Sequence, residues 1–161
     1  MSPVEVLLCG SIDRGDDGAP IASTALIQVS LPSAVPMRVV GQLQVDDLVG
    51  LPIGTGVVIV DAATGLTPGR VVDLPLSGLA DRAGDLRPRS SHALSFAEVI
   101  GLAQLLRGRP IQGRIIVIGA SEFGLGHGLS RRVAASLPAL AAEVVRAVQL
   151  TLAACRAEIG D

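Results

Sequence analysis

Hydrophobic and polar positions along the chain fall into short blocks that predict strands and helices in turn. Mostly β-branched or leucine blocks lie at 4–9, 57–60 and 114–119, and each ends at or just before a glycine or an aspartate. Short apolar blocks of this kind predict buried strands. The block at 57–60, VVIV, has no polar position, which predicts a central strand with both faces covered.

Two further strands are predicted from weaker signals. Residues 38–41 form a short apolar run, and residues 70–76, RVVDLPL, follow a loop rich in glycine and proline. Because that loop is too short for a crossover helix, the strand at 70–76 is the candidate for an antiparallel strand.

Apolar positions at helical spacing predict four helices between and after these strands. They lie at 21–31, after Pro20; at 46–51, where two aspartates open the helix; at 95–106; and at 137–156. Ser95 and Glu98 have the spacing of a capping box, which predicts the start of the third helix.

The alternation of strands and helices predicts an α/β fold built as a single domain, 1–161. We expect a three-layer α/β/α arrangement around a twisted, mostly parallel five-stranded sheet, with the strand at 70–76 as the possible exception in direction. Residues 77–91 are polar and show no periodicity. This segment predicts a long loop, and long loops in compact domains are often functional.

Composition and charge exclude several classes of function. Hydrophobic residues make up 49% of the chain and aromatic residues 1%, the 13 basic residues are all arginine, and the net charge is −2. The chain therefore lacks the basic surface and the stacking side chains that nucleic-acid binding requires. Cys9 and Cys155 stand far apart, which fits neither a metal knuckle nor a secreted disulfide scaffold. With no signal peptide and no apolar run long enough for a membrane span, we expect a cytoplasmic protein.

Acidic side chains gather where the predicted strands end. The loop GSIDRGDDGAP at 10–20 carries Asp13, Asp16 and Asp17, Asp61 directly follows the strand at 57–60, and His92 precedes a helix. Loops at the carboxyl ends of parallel strands meet in one crevice. Two carboxylates and an imidazole there predict a site for a divalent transition metal such as nickel, zinc or iron.

Each of these residues also has a simpler interpretation. Asp16 or Asp17 can cap the helix that follows, which is a common reason for an acidic residue before an apolar periodic segment. His92, like His127 in the segment GLGHGLS, is a weak signal when taken alone. An aspartate at the end of a central strand is harder to explain in this way, because a partly buried carboxylate needs a partner.

Four segments in this order resemble the hydrogenase maturation endopeptidases, which trim the C-terminal tail of the large subunit of nickel-iron hydrogenases. The first is Gly10 followed by the DDG of 16–18, and the second is VVIVDAATGLTPG at 57–69. The others are SSHALSFAEVIGLAQLL at 90–106 and IGASEFGLGHGLSRRVAASLPAL at 118–140. The resemblance covers nearly the whole chain and is carried by the combination of the four segments.

The resemblance implies an endopeptidase of the aspartyl type and a nickel-recognising set of Asp17, Asp61 and His92. It implies no tightly bound cofactor of the protein's own, because the nickel belongs to the hydrogenase large-subunit precursor, the expected partner. Cadmium or zinc is expected to occupy the same ligands in vitro. The attacking group stays open: Asp17 or Asp16 can activate water as a general base, or the nickel can polarise the carbonyl group.

The chain departs from the family pattern at two places. Ser11 stands where the family commonly has asparagine, and Phe123 follows Glu122 where the family often has proline. Glu122 is assigned only a supporting role.

Three other interpretations account for some of these features. A phospho-acceptor receiver domain needs a lysine after its last parallel strand, and this chain has no lysine. The glycine spacing at 10–18 fits no nucleotide-binding fingerprint, and the aspartates there would repel a pyrophosphate. A non-catalytic scaffold of the same fold in hydrogenase assembly stays open as the alternative, since fold does not imply function.

Overall fold

The computed structural model describes residues 3–79 and 95–160. Its sheet has five strands: β1 (Val4–Cys9), β2 (Met37–Gly41), β3 (Gly56–Ala63), β4 (Val71–Pro75) and β5 (Gly113–Gly119). Their order is β2-β1-β3-β5-β4, with β4 antiparallel to β5 and all other pairs parallel. The predicted mostly parallel five-stranded sheet is confirmed, and so is the antiparallel strand near 70–76.

Strand β3 lies at the centre of the sheet, and every residue in it is buried. This confirms the prediction from the VVIV block. The prediction that Asp61 ends the strand is wrong, because β3 continues through Ala62 and Ala63, which pair with Ile118 and Gly119 of β5. The apolar pattern placed the end of the strand at Asp61, the first charged residue after VVIV. The two alanines that follow are small enough to fit in the buried sheet, and they continue the pairing with β5.

The helices are α1 (Ala19–Ala22), α2 (Thr24–Gln28), α3 (Val45–Val49), α4 (Phe96–Arg107) and α5 (Arg131–Ile159). Two 3-10 helices cover Gly15–Gly18 and Leu76–Gly78. The single helix predicted at 21–31 is instead two short helices that meet at Ser23, whose hydroxyl donates a hydrogen bond to the Pro20 carbonyl oxygen at 2.7 Å.

Two aliphatic cores lie on the two faces of the sheet. Alternating residues of β3 separate them: Val57, Ile59 and Ala63 face α3 and α4, and Val58, Val60 and Ala62 face α1, α2 and α5. The predicted three-layer α/β/α arrangement follows from this alternation, since each face must be covered by helices. Position 61 has the same parity as the first set, so Asp61 belongs to the face of α3 and α4.

The predicted capping box at the start of α4 is confirmed. The Glu98 N–H donates to the Ser95 hydroxyl oxygen at 3.2 Å, and the Ser95 N–H donates to the Glu98 carboxylate at 2.7 Å. The loop predicted at 77–91 falls mostly outside the described residues, and its first residues belong to the 3-10 helix Leu76–Gly78.

Helix α5 begins six residues earlier than predicted and contains Pro138 in its interior. By length and mean hydropathy, 1.4 in its most apolar stretch, it is the one helix of the described chain that could cross a membrane. Its buried residues pack against the sheet, with Leu140, Val144 and Val148 fully buried. Because the core helix of a soluble protein has the same composition, this length is weak evidence for a membrane segment.

Candidate functional site

The acidic residues lie at the carboxyl edge of the sheet, on a loop that leaves β1. We call residues 10–18 the acid loop; it ends in the 3-10 helix Gly15–Gly18, which carries Asp16 and Asp17. Both side chains are buried, with 0% and 3% exposure, although each carries a carboxyl group. A buried carboxylate needs hydrogen bonds or a cation to offset its lost hydration, so the surroundings of each one indicate its role.

Gly10 allows the acid loop to fold back over the end of β1. Its φ angle is +106°, and a Cβ at this position would lie 2.0 Å from the Asp17 carbonyl oxygen. Only glycine adopts such a conformation at such a close approach without strain. The turn brings the Ser11 N–H to Asp17, where it donates to Oδ2 at 3.0 Å, so the Asp17 carboxylate lies above the end of β1.

Asp16 is surrounded by hydrogen-bond donors from the segment after β5. We call residues 120–130 the glycine loop. The Ser130 N–H donates to Asp16 Oδ1 at 2.7 Å, and Oδ2 accepts from the Ser121 and Glu122 N–H groups at 3.0 and 3.1 Å. The hydroxyl groups of Ser121 and Ser130 also donate to Oδ2, at 3.3 and 2.9 Å. Both oxygens of Asp16 are therefore occupied by the glycine loop.

These donors set the ionisation of Asp16. Burial on its own would raise the pKa of the carboxyl group, but hydrogen bonds from Ser121, Ser130 and Glu122 outweigh it and lower the pKa below the usual value. Hydrogen bonds that favour the charged form act in this direction. Asp16 is therefore a carboxylate at neutral pH.

Backbone hydrogen bonds join the acid loop and the glycine loop at three more points. The Asp16 N–H donates to the Glu122 carbonyl oxygen at 2.7 Å, and the Gly15 N–H donates to that of His127 at 3.0 Å. In the opposite direction the Gly126 N–H donates to the Asp13 carbonyl oxygen at 3.0 Å. The two loops thus form one unit at the carboxyl edge, with the side chains of Glu122 and His127 exposed.

Asp61 lies within the central strand and is 7% exposed. Its Oδ1 accepts a hydrogen bond from the Ala62 N–H at 2.8 Å. Burial raises the pKa of Asp61 to about 7, and the bond from Ala62 offsets only part of this shift. A carboxyl group with such a pKa exchanges its proton readily near neutral pH, and a nearby cation would favour its charged form.

The fold brings Asp17 and Asp61 to the same edge of the sheet. β1 and β3 are parallel, with Leu8 beside Val60. The acid loop therefore begins two residues after this pair, and Asp61 follows it by one residue. Cα atoms of the 3-10 helix Gly15–Gly18 lie within 8 Å of Cα atoms of β3. The predicted convergence of the acid loop and the central strand agrees with this arrangement.

The third predicted ligand, His92, lies outside the described residues. Among residues 3–79 and 95–160, no group of three histidine, cysteine, aspartate or glutamate side chains is arranged to hold a metal ion. The described part of the site therefore consists of two buried carboxylates, and the nickel-recognising set of Asp17, Asp61 and His92 stays a prediction.

Sequence reasoning did not identify Ser121 and Ser130, the serines that surround Asp16. Ser130 is the N-cap residue of α5, and a serine before a periodic apolar segment is a known signal for such a cap. That signal could have located the start of α5. Nothing local in the sequence shows that the same serine donates to Asp16, which is 114 positions away.

Several proteins of known structure share the fold of this chain. No protein-family model matches the chain, and no curated protein matches it significantly. Among solved structures, the NiFe hydrogenase maturation protease HybD from Thermococcus kodakarensis aligns with a TM-score of 0.64 and 22% identity, over 89% of this chain and 97% of that one.

Two other solved structures are similar over nearly their whole length. The hydrogenase maturating endopeptidase HybD from E. coli aligns with a TM-score of 0.75 and 18% identity, over 92% of this chain and 93% of that one. The hydrogenase 2 maturation peptidase from Thaumarchaeota archaeon SCGC_AB-539-E09 gives 0.62 and 24%, over 91% and 98%. The chain therefore has the fold of the hydrogenase maturation proteases.

Proposed function

We propose that the protein is an endopeptidase that removes the C-terminal extension of a nickel-iron hydrogenase large-subunit precursor after nickel insertion. The observation that carries this proposal is the pair of buried carboxylates, Asp17 and Asp61, at the carboxyl edge of a sheet with the fold of maturation proteases. Buried carboxylates that face a site from separate elements are typical of catalytic or cation-binding sites.

The nickel is part of the substrate in this proposal. Asp17, Asp61 and His92 would contact nickel that the precursor already holds, and two carboxylates with an imidazole suit a divalent transition metal. Three ligands from the protease leave coordination positions for groups of the precursor. Cleavage would then depend on whether nickel has been inserted, because only a loaded precursor completes the contact.

The surroundings of the two aspartates of the acid loop support different roles. Asp16 has both oxygens occupied by donors of the glycine loop, so it is better suited to hold that loop than to take a proton from water. Asp17 is the better general base. In that role, the water oxygen would bond to the carbonyl carbon while its proton passes to Asp17, and the proton would then move to the departing amine as the C–N bond breaks.

Cleavage by matched variants tests this proposal. We expect wild type to shorten a nickel-loaded large-subunit precursor from the same organism, and Asp17→Asn, Asp61→Asn and His92→Ala each to lower kcat/KM at least a hundredfold, roughly the loss that follows removal of a catalytic acid or base. Glu143→Gln is the control, since Glu143 lies on the outer side of α5 beside Arg146, and it should cleave like wild type.

The same assay separates the protease from the scaffold alternative. If wild type binds the loaded precursor and leaves it intact, the protein is a non-catalytic binding protein of this fold. If the three site variants cleave as fast as Glu143→Gln, the residues assigned to the site are wrong even though the activity is present.

A further inference from the structure

Two exposed apolar side chains lie beside the acid loop on segments that a backbone hydrogen bond joins. Ile12 is 63% exposed and Leu125 is 70% exposed. Ile12 directly precedes Asp13 and Leu125 directly precedes Gly126, and these two following residues share the 3.0 Å hydrogen bond between the loops. The two apolar side chains therefore flank the junction of the acid loop and the glycine loop.

This junction is close to the proposed catalytic carboxylate. Gly18 follows Asp17 and packs so tightly on the start of the acid loop that a Cβ there would lie 2.9 Å from the Ile12 Cα. The segment that carries Ile12 thus lies directly against the 3-10 helix that carries Asp17. A chain bound with its cleavage junction at Asp17 would pass over or beside Ile12.

The glycine loop is held in a fixed position in spite of its composition. Gly124, Gly126 and Gly128 would allow the loop many conformations, and fixing a loop costs conformational entropy. The Asp16 carboxylate and the three backbone bonds to the acid loop meet that cost within the protein itself. Leu125 is therefore presented in place before any partner binds, which reduces the entropy lost on binding.

We propose that Ile12 and Leu125 form an apolar docking point for the large-subunit precursor, which contacts an apolar stretch of that chain next to the cleavage junction. The inference rests on the proposed function, because the occupant is the chain that must also reach Asp17. Exposed polar residues lie close to the two side chains along the chain, among them Asp13, Arg14 and Glu122. An apolar centre with a polar rim is the usual anatomy of a binding surface.

Steady-state cleavage of the nickel-loaded precursor by Ile12→Ser and Leu125→Ser tests this docking point. We expect each variant to raise KM about tenfold, in keeping with the loss of one partly buried apolar side chain from an interface, and to leave kcat within about twofold of wild type. Ile53→Ser is the matched control, because Ile53 is 76% exposed in the turn before β3, at the opposite edge of the sheet.

The possible results separate this inference from the proposed function. If wild type cleaves and both docking variants keep the wild-type KM, the docking point is wrong and the protease assignment stands. If wild type does not cleave, the protease assignment is wrong. The affinities of wild type and the three variants for the loaded precursor then test the docking point separately. Weaker binding by Ile12→Ser and Leu125→Ser than by Ile53→Ser would then support it, and equal or undetectable binding by all forms would overturn it.

Discussion

At the level of single residues, the buried aspartates Asp16 and Asp61 at one edge of the sheet differ in what surrounds them. Asp16 accepts five hydrogen bonds from the glycine loop, which lower its pKa. Asp61 lies inside a buried strand, and burial raises its pKa to about 7. At neutral pH Asp16 is therefore charged, while Asp61, with a pKa of about 7, is about half protonated. This is the difference expected between a structural carboxylate and a reactive one.

The raised pKa of Asp61 predicts a pH dependence of stability in the metal-free protein. The folded pKa of about 7 exceeds the unfolded value of about 3.9, so between these values the folded state binds more protons than the unfolded state. The contribution of Asp61 is least unfavourable below pH 4, and stability is lost as the pH rises toward 7, by up to about 1.4 kcal/mol per pH unit.

Urea denaturation of wild type and Asp61→Asn between pH 4 and 8 measures this effect. The free energy of unfolding of wild type, relative to Asp61→Asn, should fall as the pH rises and level off above pH 7. A difference that is constant over this range, or that moves in favour of wild type, would show that Asp61 titrates normally.

At the level of elements, Asp16 connects the acid loop to the glycine loop and the start of α5, more than 100 positions later in the sequence. It lies in the 3-10 helix of the acid loop, and its carboxylate accepts hydrogen bonds from Ser121 near the start of the glycine loop and from Ser130, which is both the last residue of that loop and the N-cap residue of α5. The N-cap residue of α5 is therefore held in place by a tertiary contact that the helical pattern alone does not show.

Asp16→Asn should destabilise the protein by about 3 kcal/mol, because the new amide group presents donors to backbone N–H donors and removes the charge that they stabilise. Urea denaturation measures this loss. Amide hydrogen exchange at Ser121, Glu122 and Ser130 should become faster than elsewhere in the chain. Asp13→Asn, on an exposed position of the same loop, is the control, and equal behaviour of the two variants would contradict the connecting role.

Sequence reasoning predicted the elements best where the pattern is local. The strands at 4–9, 57–60 and 114–119 and the capping box of Ser95 and Glu98 are all confirmed. The predictions were less accurate where segments distant in the sequence contact each other. The end of β3 depends on pairing with β5, and the hydrogen bonds of Asp16 come from residues more than 100 positions away. No periodicity carries such information.

At the level of the whole molecule, the fold brings the acidic residues to one edge of the sheet. Parallel strands β1, β3 and β5 end at one edge of the sheet, and the loops that follow β1 and β5 are joined there by hydrogen bonds. The sequence predicted the sheet and this edge, since both follow from apolar blocks and the parallel arrangement. The resemblance assigned Asp17 to the nickel, and the role of Asp16 stayed open, because its hydrogen-bond partners are more than 100 positions away in the sequence.

At one edge of the sheet the molecule places the buried carboxylates of Asp17 and Asp61 beside a loop held by Asp16, and we propose that this edge cleaves a precursor chain only after nickel insertion. Intact-mass spectrometry of the large-subunit precursor, incubated with wild-type protein in nickel-loaded and nickel-free form, tests this proposed dependence on nickel. We expect the loaded precursor to lose the mass of its C-terminal extension and the nickel-free precursor to keep it. Equal shortening of both forms, or of neither, would contradict it.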